Sequence, residues 1–398
     1  MIADKTTKGR KQMSKRFAIL GLVAASLIWS AGPAAAESKT YTYGQWLPPK
    51  HNVNIYGLAP MIKELGTEVP WKLVTGGQLF SAKSTLKSVG NRTAEAGLVV
   101  PSYARTSLKH AYIIADMLML GENELVMNAA ALDTYFFDCP ECMNDYKRNG
   151  SIYIAGYGVG GYSLLCRQDV RKLSDAKGLK MRTTGALGRW ARAIGGTPIS
   201  MTMGDVPEAI KRGQIDCIVG PVAWLKSYPI ADSIKSILNF NFGSYSGLGL
   251  MIMNRKAWDE YSDSQKRRLW SVLPATTARA MIDGYVGDDL RSRALAKKMG
   301  IPVSPADPAI IAAWKTHKKS EVATVIRNAK KLKVKNPEKI VNAMLRNIDK
   351  WTKIIADSGL NNIIAAAGPA KGQLAGATAA YTKLIQDNIY SKIDPTKL

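Results

Sequence analysis

Apolar and polar positions along this chain fall into short blocks whose period switches repeatedly between that of a strand and that of a helix. Apolar stretches at 40–45, 69–74 and 94–99 are separated by amphipathic segments at 52–65 and 81–89, which predicts a β-α-β-α-β run. The same order returns at 179–219. Strands at 179–183, 198–201 and 214–219 enclose a helix at 186–194 and another after Asp205. For that last helix Asp205 is a candidate cap, Glu208 stands three residues on in capping-box spacing, and Gly213 supplies the stop. Strands alternating with helices imply parallel sheets flanked by helices, so two such units predict two α/β lobes. In sheets of this kind a ligand crevice opens beyond the carboxyl ends of the strands, where helix N-termini point positive dipole ends outward. Two facing crevices form a cleft suited to an anion. Residues 258–357 are mostly helix-patterned and are expected to brace both lobes from behind. The Ala- and Gly-rich stretch after Gly359 leads to one further helix before Lys397 and carries no evident chemistry.

The N-terminus changes this picture first. Lys8, Arg10, Lys11, Lys15 and Arg16 run into the apolar segment 18–29, followed by Ala34, Ala35 and Ala36, the pattern of a cleaved export signal ending before Glu37. The apolar segment is short against the roughly 20 residues a spanning helix needs, which argues against an uncleaved anchor. Met13 begins an ordinary signal by itself and is a candidate start. Removing residues 1–36 takes away six basic residues and Asp4 and leaves a net charge of +19. About 360 remaining residues exceed a usual single core.

So basic a chain invites a nucleic-acid reading, yet its basic residues are dispersed and no recognition motif accompanies them, so no nucleic acid is expected. A positive field also steers anions toward a cleft. Gly156 to Gly161 match a dinucleotide G-x-G-x-x-G after a strand-like stretch, but Tyr162 to Cys166 continue as a strand where that fingerprint requires a helix. An interlobe crossing is the better use of these glycines. Cys139 and Cys142 form a C-x-x-C, readable as a redox dithiol, half a metal site or a structural disulfide. No second C-x-x-C or His pair completes a zinc site, and an exported chain favours the disulfide. With Cys166 and Cys217 the four cysteines allow three pairings. Of three histidines, His317 lies in the basic helical region, and His51 and His110 stand in no nucleophile context and read as surface or helix-end residues. Catalysis, a cofactor and a metal are therefore not expected.

Arg182 ends a strand just before the Thr183-Thr184-Gly185 turn, at the crevice lip of the second lobe. Its planar fork can hold a carboxylate bidentately, which lysine cannot match. Around it the chain resembles the solute receptors of tripartite ATP-independent periplasmic (TRAP) transporters, the family that includes the dicarboxylate-binding protein. The resemblance is carried by Leu173 to Arg182 (LSDAKGLKMR), Ile194 to Pro198 (IGGTP), Asp205 to Ile210 (DVPEAI) and Gly213 to Asp216 (GQID). Gly76 to Leu79 (GGQL) and Ala94 to Gly97 (AEAG) add to it, and it covers residues 40–355.

This resemblance implies a two-lobed periplasmic-binding-protein fold with a long bracing helix and a helical C-terminal extension. Lobe 1 is expected as residues 37–160 with 247–287, lobe 2 as 161–246 with 288–355, and the extension as 356–398. It implies that Arg182 pairs with a ligand carboxylate, and it places Gln45, Trp46, Val100 to Tyr103, Gly185, Met203, Gly220 and Tyr245 in the pocket. Trp224 is added for its position after Pro221. It also implies that the receptor hands a small organic acid to separate membrane permease subunits. The sequence departs from relatives in two places. Gly220 precedes Pro221 where many carry a polar side chain, and Tyr162, Ser163 and Leu164 stand where some carry a second arginine. The expected ligand therefore has one firmly held carboxylate and a bulkier or less polar body, an aromatic one included, against Trp46, Tyr103 or Trp224. An ABC-importer receptor and an exported thiol-disulfide oxidoreductase using Cys139 and Cys142 are the alternatives. Hinges are expected near Gly160 and Ser246.

Overall fold

The computed structural model describes residues 39–370 and 372–398, so the expected signal segment lies outside the described residues. Two mainly parallel sheets, each flanked by helices, form two lobes. The first contains β1 (Tyr41–Gly44), β2 (Trp71–Val74), β3 (Ala96–Val99), β4 (Ser151–Tyr157) and β10 (Leu248–Asn254), in the order β2-β1-β3-β10-β4. The second orders β11 (Val303–Pro305), β9 (Ser236–Asn239), β5 (Tyr162–Cys166), β8 (Cys217–Pro221), β6 (Lys180–Thr183) and β7 (Thr197–Ser200).

Only one strand in each sheet runs against the rest, β10 in the first and β5 in the second. Each of these directly follows a passage from the other lobe: β4 leads into β5, and β9 into β10. A strand entering a lobe from its neighbour must start at the edge facing that neighbour and run back through the sheet. The carboxyl ends of the parallel strands of both lobes therefore face one another across the cleft. The two passages are themselves paired. Val159 N–H donates to the Tyr245 carbonyl (2.8 Å), Tyr162 N–H to the Gly243 carbonyl (2.9 Å), and Gly161 forms an antiparallel bridge with Ser244.

Glycine in the first passage serves close packing and not left-handed backbone. None of Gly156, Gly158, Gly160 and Gly161 has positive φ, but a Cβ on Gly158 would lie 3.0 Å from the Tyr245 carbonyl oxygen, and one on Gly161 would strike the Asn241 side chain.

Local chemistry explains several element boundaries. The helical rod Asp263–Arg279, Ala280–Val286, Gly287–Lys298 stays in right-handed helical backbone across both junctions. It opens on a capping box in which Ser262 Oγ accepts from Gln265 N–H (3.2 Å) while Gln265 Oε1 accepts from Ser262 N–H (3.0 Å). The expected box at Asp205 does not form: Asp205 makes no cap to helix Val206–Lys211 and instead accepts from Thr202 Oγ1 at 2.6 Å. A nearer hydroxyl outcompetes the backbone there. Cys166 and Cys217, directly opposite on β5 and β8, are disulfide-bonded, as are Cys139 and Cys142 at the start of helix Pro140–Arg148.

The C-terminal stretch packs into the molecule. In helix Ala375–Asn388, Ala377, Tyr381 and Ile385 are buried, and the Trp270 indole N–H donates to the Tyr390 carbonyl at 3.1 Å. The Tyr381 hydroxyl donates to the Leu125 carbonyl (2.9 Å) and accepts from Asn128 Nδ2 (2.8 Å). Tyr381→Phe leaves two buried groups without that partner, so urea unfolding should show a stability loss of about 1–3 kcal/mol with an unchanged slope.

Candidate functional site

The site is assembled by the carboxyl ends of the strands. Trp46 follows β1, Val100 and Tyr103 follow β3, and Tyr157 ends β4. From the other lobe come Arg182 on β6, Thr184 beyond it, Met203 beyond β7 and Trp224 beyond β8. These residues, with Tyr162, Tyr245 and Leu248 of the paired passages, line one cavity whose empty space of about 410 Å³ opens in part to solvent. His51, Tyr228 and Tyr285 complete the aromatic wall.

Arg182 is 1% exposed, and its charge meets only neutral partners from the chain. Its Nε and Nη2 donate to the Met201 carbonyl (3.2 and 3.0 Å), Nη2 also donates to the Tyr103 hydroxyl (3.2 Å), and the guanidinium lies 5.6 Å from the Trp224 ring centre. Among the described residues Arg182 forms no ion pair with a carboxylate within 4.0 Å. Tyr103 connects the lobes. Its oxygen accepts from both Arg182 and the Met203 N–H (3.3 Å), which leaves its own proton to donate.

The rest of the wall cannot neutralise that cation. Burial pushes the hydroxyls of Tyr157, Tyr162, Tyr228, Tyr245 and Tyr285 above the usual phenol range, so they stay protonated. Burial also lowers His51 to about 3. Its Nδ1 accepts from Val53 N–H at 3.2 Å, which puts the ring proton on Nε2. Rings pack edge to face around the box: His51 on Tyr228 (5.2 Å), Trp224 on Tyr162 (5.8 Å) and on Tyr228 (5.9 Å), and Trp46 on Tyr103 (6.1 Å).

Seven of the expected pocket residues thus meet in one cavity: Trp46, Val100, Tyr103, Arg182, Met203, Trp224 and Tyr245. Pro101 and Ser102, in the turn between Val100 and Tyr103, do not line it, nor do three others. Gln45 is buried and shapes the turn behind Trp46, its carbonyl accepting from Gly77 N–H and its Oε1 from Leu47 N–H. Gly220 lies under the Trp224 ring, in a space a Cβ would fill. Gly185 has left-handed backbone (φ 52°) at a close interlobe approach, where a Cβ would lie 3.6 Å from Asp116 Oδ1 and 3.7 Å from Ser102 Oγ. His51 is a correction: expected at the surface or a helix end, it is 1% exposed and on the cavity wall. Tyr228 and Tyr285 were also missed. Tyr285 arrives from the helical rod, and no local sequence signal ties it to a strand end. Among the described residues no cluster of metal ligands occurs. Cys139 and Cys142 are fully buried, unlike an accessible redox dithiol.

Two lobes closing on a cavity with one fixed cation define a solute receptor. Residues 54–328 match the family described as bacterial extracellular solute-binding protein, family 7, and the chain belongs to it. By that family it is an extracellular solute-binding protein, a non-enzymatic role. Solved structures share the fold. A TRAP solute-binding protein from Rhodoferax ferrireducens, in complex with benzoate, is 13% identical, with 79% of this chain and 99% of that chain covered at a TM-score of 0.69. One from Bordetella bronchiseptica, with bound (R)- and (S)-mandelate, is 20% identical, covering 78% and 99% at 0.67. One from Xanthobacter autotrophicus, with bound β-D-galacturonate, is 17% identical, covering 78% and 99% at 0.62.

The His51 environment has a pH signature. Its folded-state value of about 3 lies below the ordinary 6.5, so between those values the unfolded chain binds a proton that the folded chain refuses. His51's contribution is therefore full above pH 6.5 and is lost as pH falls toward 3. Guanidinium unfolding at pH 7, 5.5 and 4.5 should show declining stability, and His51→Gln should flatten that decline.

Proposed function

We propose that this receptor captures a small organic acid carrying a single carboxylate and an aromatic or similarly flat apolar body, and delivers it to the membrane permease subunits of a TRAP transporter. The residues grouped above as lobe 1 and lobe 2 are the parts that close on it, and the paired passages are the hinge. One observation carries this reading: a buried guanidinium whose chain partners are all neutral faces a cavity walled by aromatic rings. A buried cation without a counter-charge costs several kcal/mol, which a carboxylate guest offsets. The unengaged Nη1 of Arg182 and the free Tyr103 proton supply donors for one carboxylate, and no second cationic anchor lines the cavity. A sugar acid or short dicarboxylate would bury further polar groups against tyrosine and tryptophan faces without matched partners.

Relatives of the same fold hold both benzoate or mandelate and a galacturonate, so the fold leaves the choice of acid open and the wall decides it. This wall is closer in chemistry to what benzoate or mandelate requires.

Thermal unfolding and calorimetry of the chain from Glu37 onward against a panel of organic acids test the proposal. Benzoate, mandelate or phenylacetate, at 100 times its dissociation constant, should add about 2.7 kcal/mol of stability. Arg182→Ala should abolish that gain, and Arg182→Lys should recover only part of it. Tighter binding of sialate or a short dicarboxylate overturns the proposal, as does an aromatic acid that still stabilises Arg182→Ala. In the same assay Gly220→Ala, which displaces the Trp224 ring from beside Arg182, should weaken binding by about tenfold while the variant remains folded.

A further inference from the structure

A second, larger space of about 1820 Å³ adjoins the inner cavity, and Tyr103 and Thr184 line both. Five cationic side chains line it, Lys83, Arg105, Arg189, Arg192 and Lys331, with no Asp or Glu among its lining residues. Arg189 is accounted for: it bridges Asp116 (3.0 Å) and Glu321 (2.5 Å), both almost fully buried. The other four are exposed, and none has a carboxylate within 4.0 Å among the described residues; Arg192 donates only to the Gly188 carbonyl one helical turn back (3.2 Å). They come from separate elements on both sides of the cleft. Lys83 precedes helix Thr85–Gly90, Arg105 follows the Pro101–Tyr103 turn, Arg192 is on helix Leu187–Ala193, and Lys331 ends helix Glu321–Lys331. Met201, whose carbonyl holds Arg182, is part of the same wall.

We infer that this basic vestibule is an electrostatic capture site: Lys83, Arg105, Arg192 and Lys331 gather small organic monoanions at the mouth of the cleft and set their association rate, while Arg182 sets how long they stay. The inference rests on the proposed function above. Arg182 is too deeply buried to act on an approaching anion through open solvent. Each vestibule cation alone is screened within about 8 Å at physiological salt. Four cations around one concave space sum their fields there and raise the local anion concentration, an effect that increases association about 10- to 1,000-fold in charged clefts. None of the four lines the inner cavity, so the contacts that hold a bound guest are separate from those that attract it.

Stopped-flow fluorescence of the cavity tryptophans Trp46 and Trp224 on mixing with benzoate, mandelate or phenylacetate, at several salt concentrations, tests the inference. The quadruple variant Lys83→Gln, Arg105→Gln, Arg192→Gln, Lys331→Gln should associate roughly tenfold more slowly at low salt. Its off-rate should stay within about twofold of wild type, and the association gap should close by about 0.5 M salt. A control variant of equal net charge, Lys235→Gln, Lys297→Gln, Lys298→Gln, Lys353→Gln, removes cations that line neither space and should associate like wild type. An unchanged on-rate in the vestibule variant, an equal fall in the control, or a change confined to the off-rate overturns the capture role while leaving the proposed function standing. If the wild-type protein binds none of these acids, the proposed function fails and the capture role with it.

Discussion

At the end of β6 a full positive charge is enclosed by a carbonyl, a phenol oxygen and an indole face. The low dielectric that makes such a charge costly also makes its attraction for a guest's carboxylate strong. Its surroundings hold it in that state. Buried tyrosines stay protonated and His51 stays neutral, so the wall neither cancels the charge nor competes for the guest. Neither lobe completes the arrangement alone: Tyr103, from the loop after β3, reaches across to Arg182 and to the Met203 N–H. Asp116 and Arg189 form a second bond across the cleft, between chain segments that belong to opposite sheets.

Binding and approach are divided spatially. The inner cavity has one cation among rings, whereas the outer space has several cations and few rings. Coulomb attraction in water is long-ranged but weak at any one contact, and hydrogen bonding in a dry cavity is strong but short-ranged. A receptor that must find a scarce solute and then hold it can make use of both.

Much of the architecture was legible because local signals and tertiary structure agree. The repeated β-α-β order and the Gly213 stop emerged with shifts of at most four residues at their edges. Arg182 was visible from its place at a strand end beside a turn, and the family resemblance sharpened its role. The Asp205 capping box was misread because spacing alone does not show that Thr202 stands closer. His51, Tyr228 and Tyr285 were illegible for a different reason. Tyr285 comes from the distant helical rod, and although His51 and Tyr228 follow the ends of β1 and β8 closely, the burial that makes His51 a neutral wall residue is a property of the assembled lobes. The glycines at 156–161 were placed correctly in the passage between lobes, but their use is tight packing.

The paired passages between the lobes do more than connect them. Tyr157, Val159, Tyr162, Tyr245 and Leu248 belong to these two segments and also line the cavity. Whatever rests there presses directly on the pivot. Under the proposed function a guest's thickness therefore sets the angle at which the lobes meet.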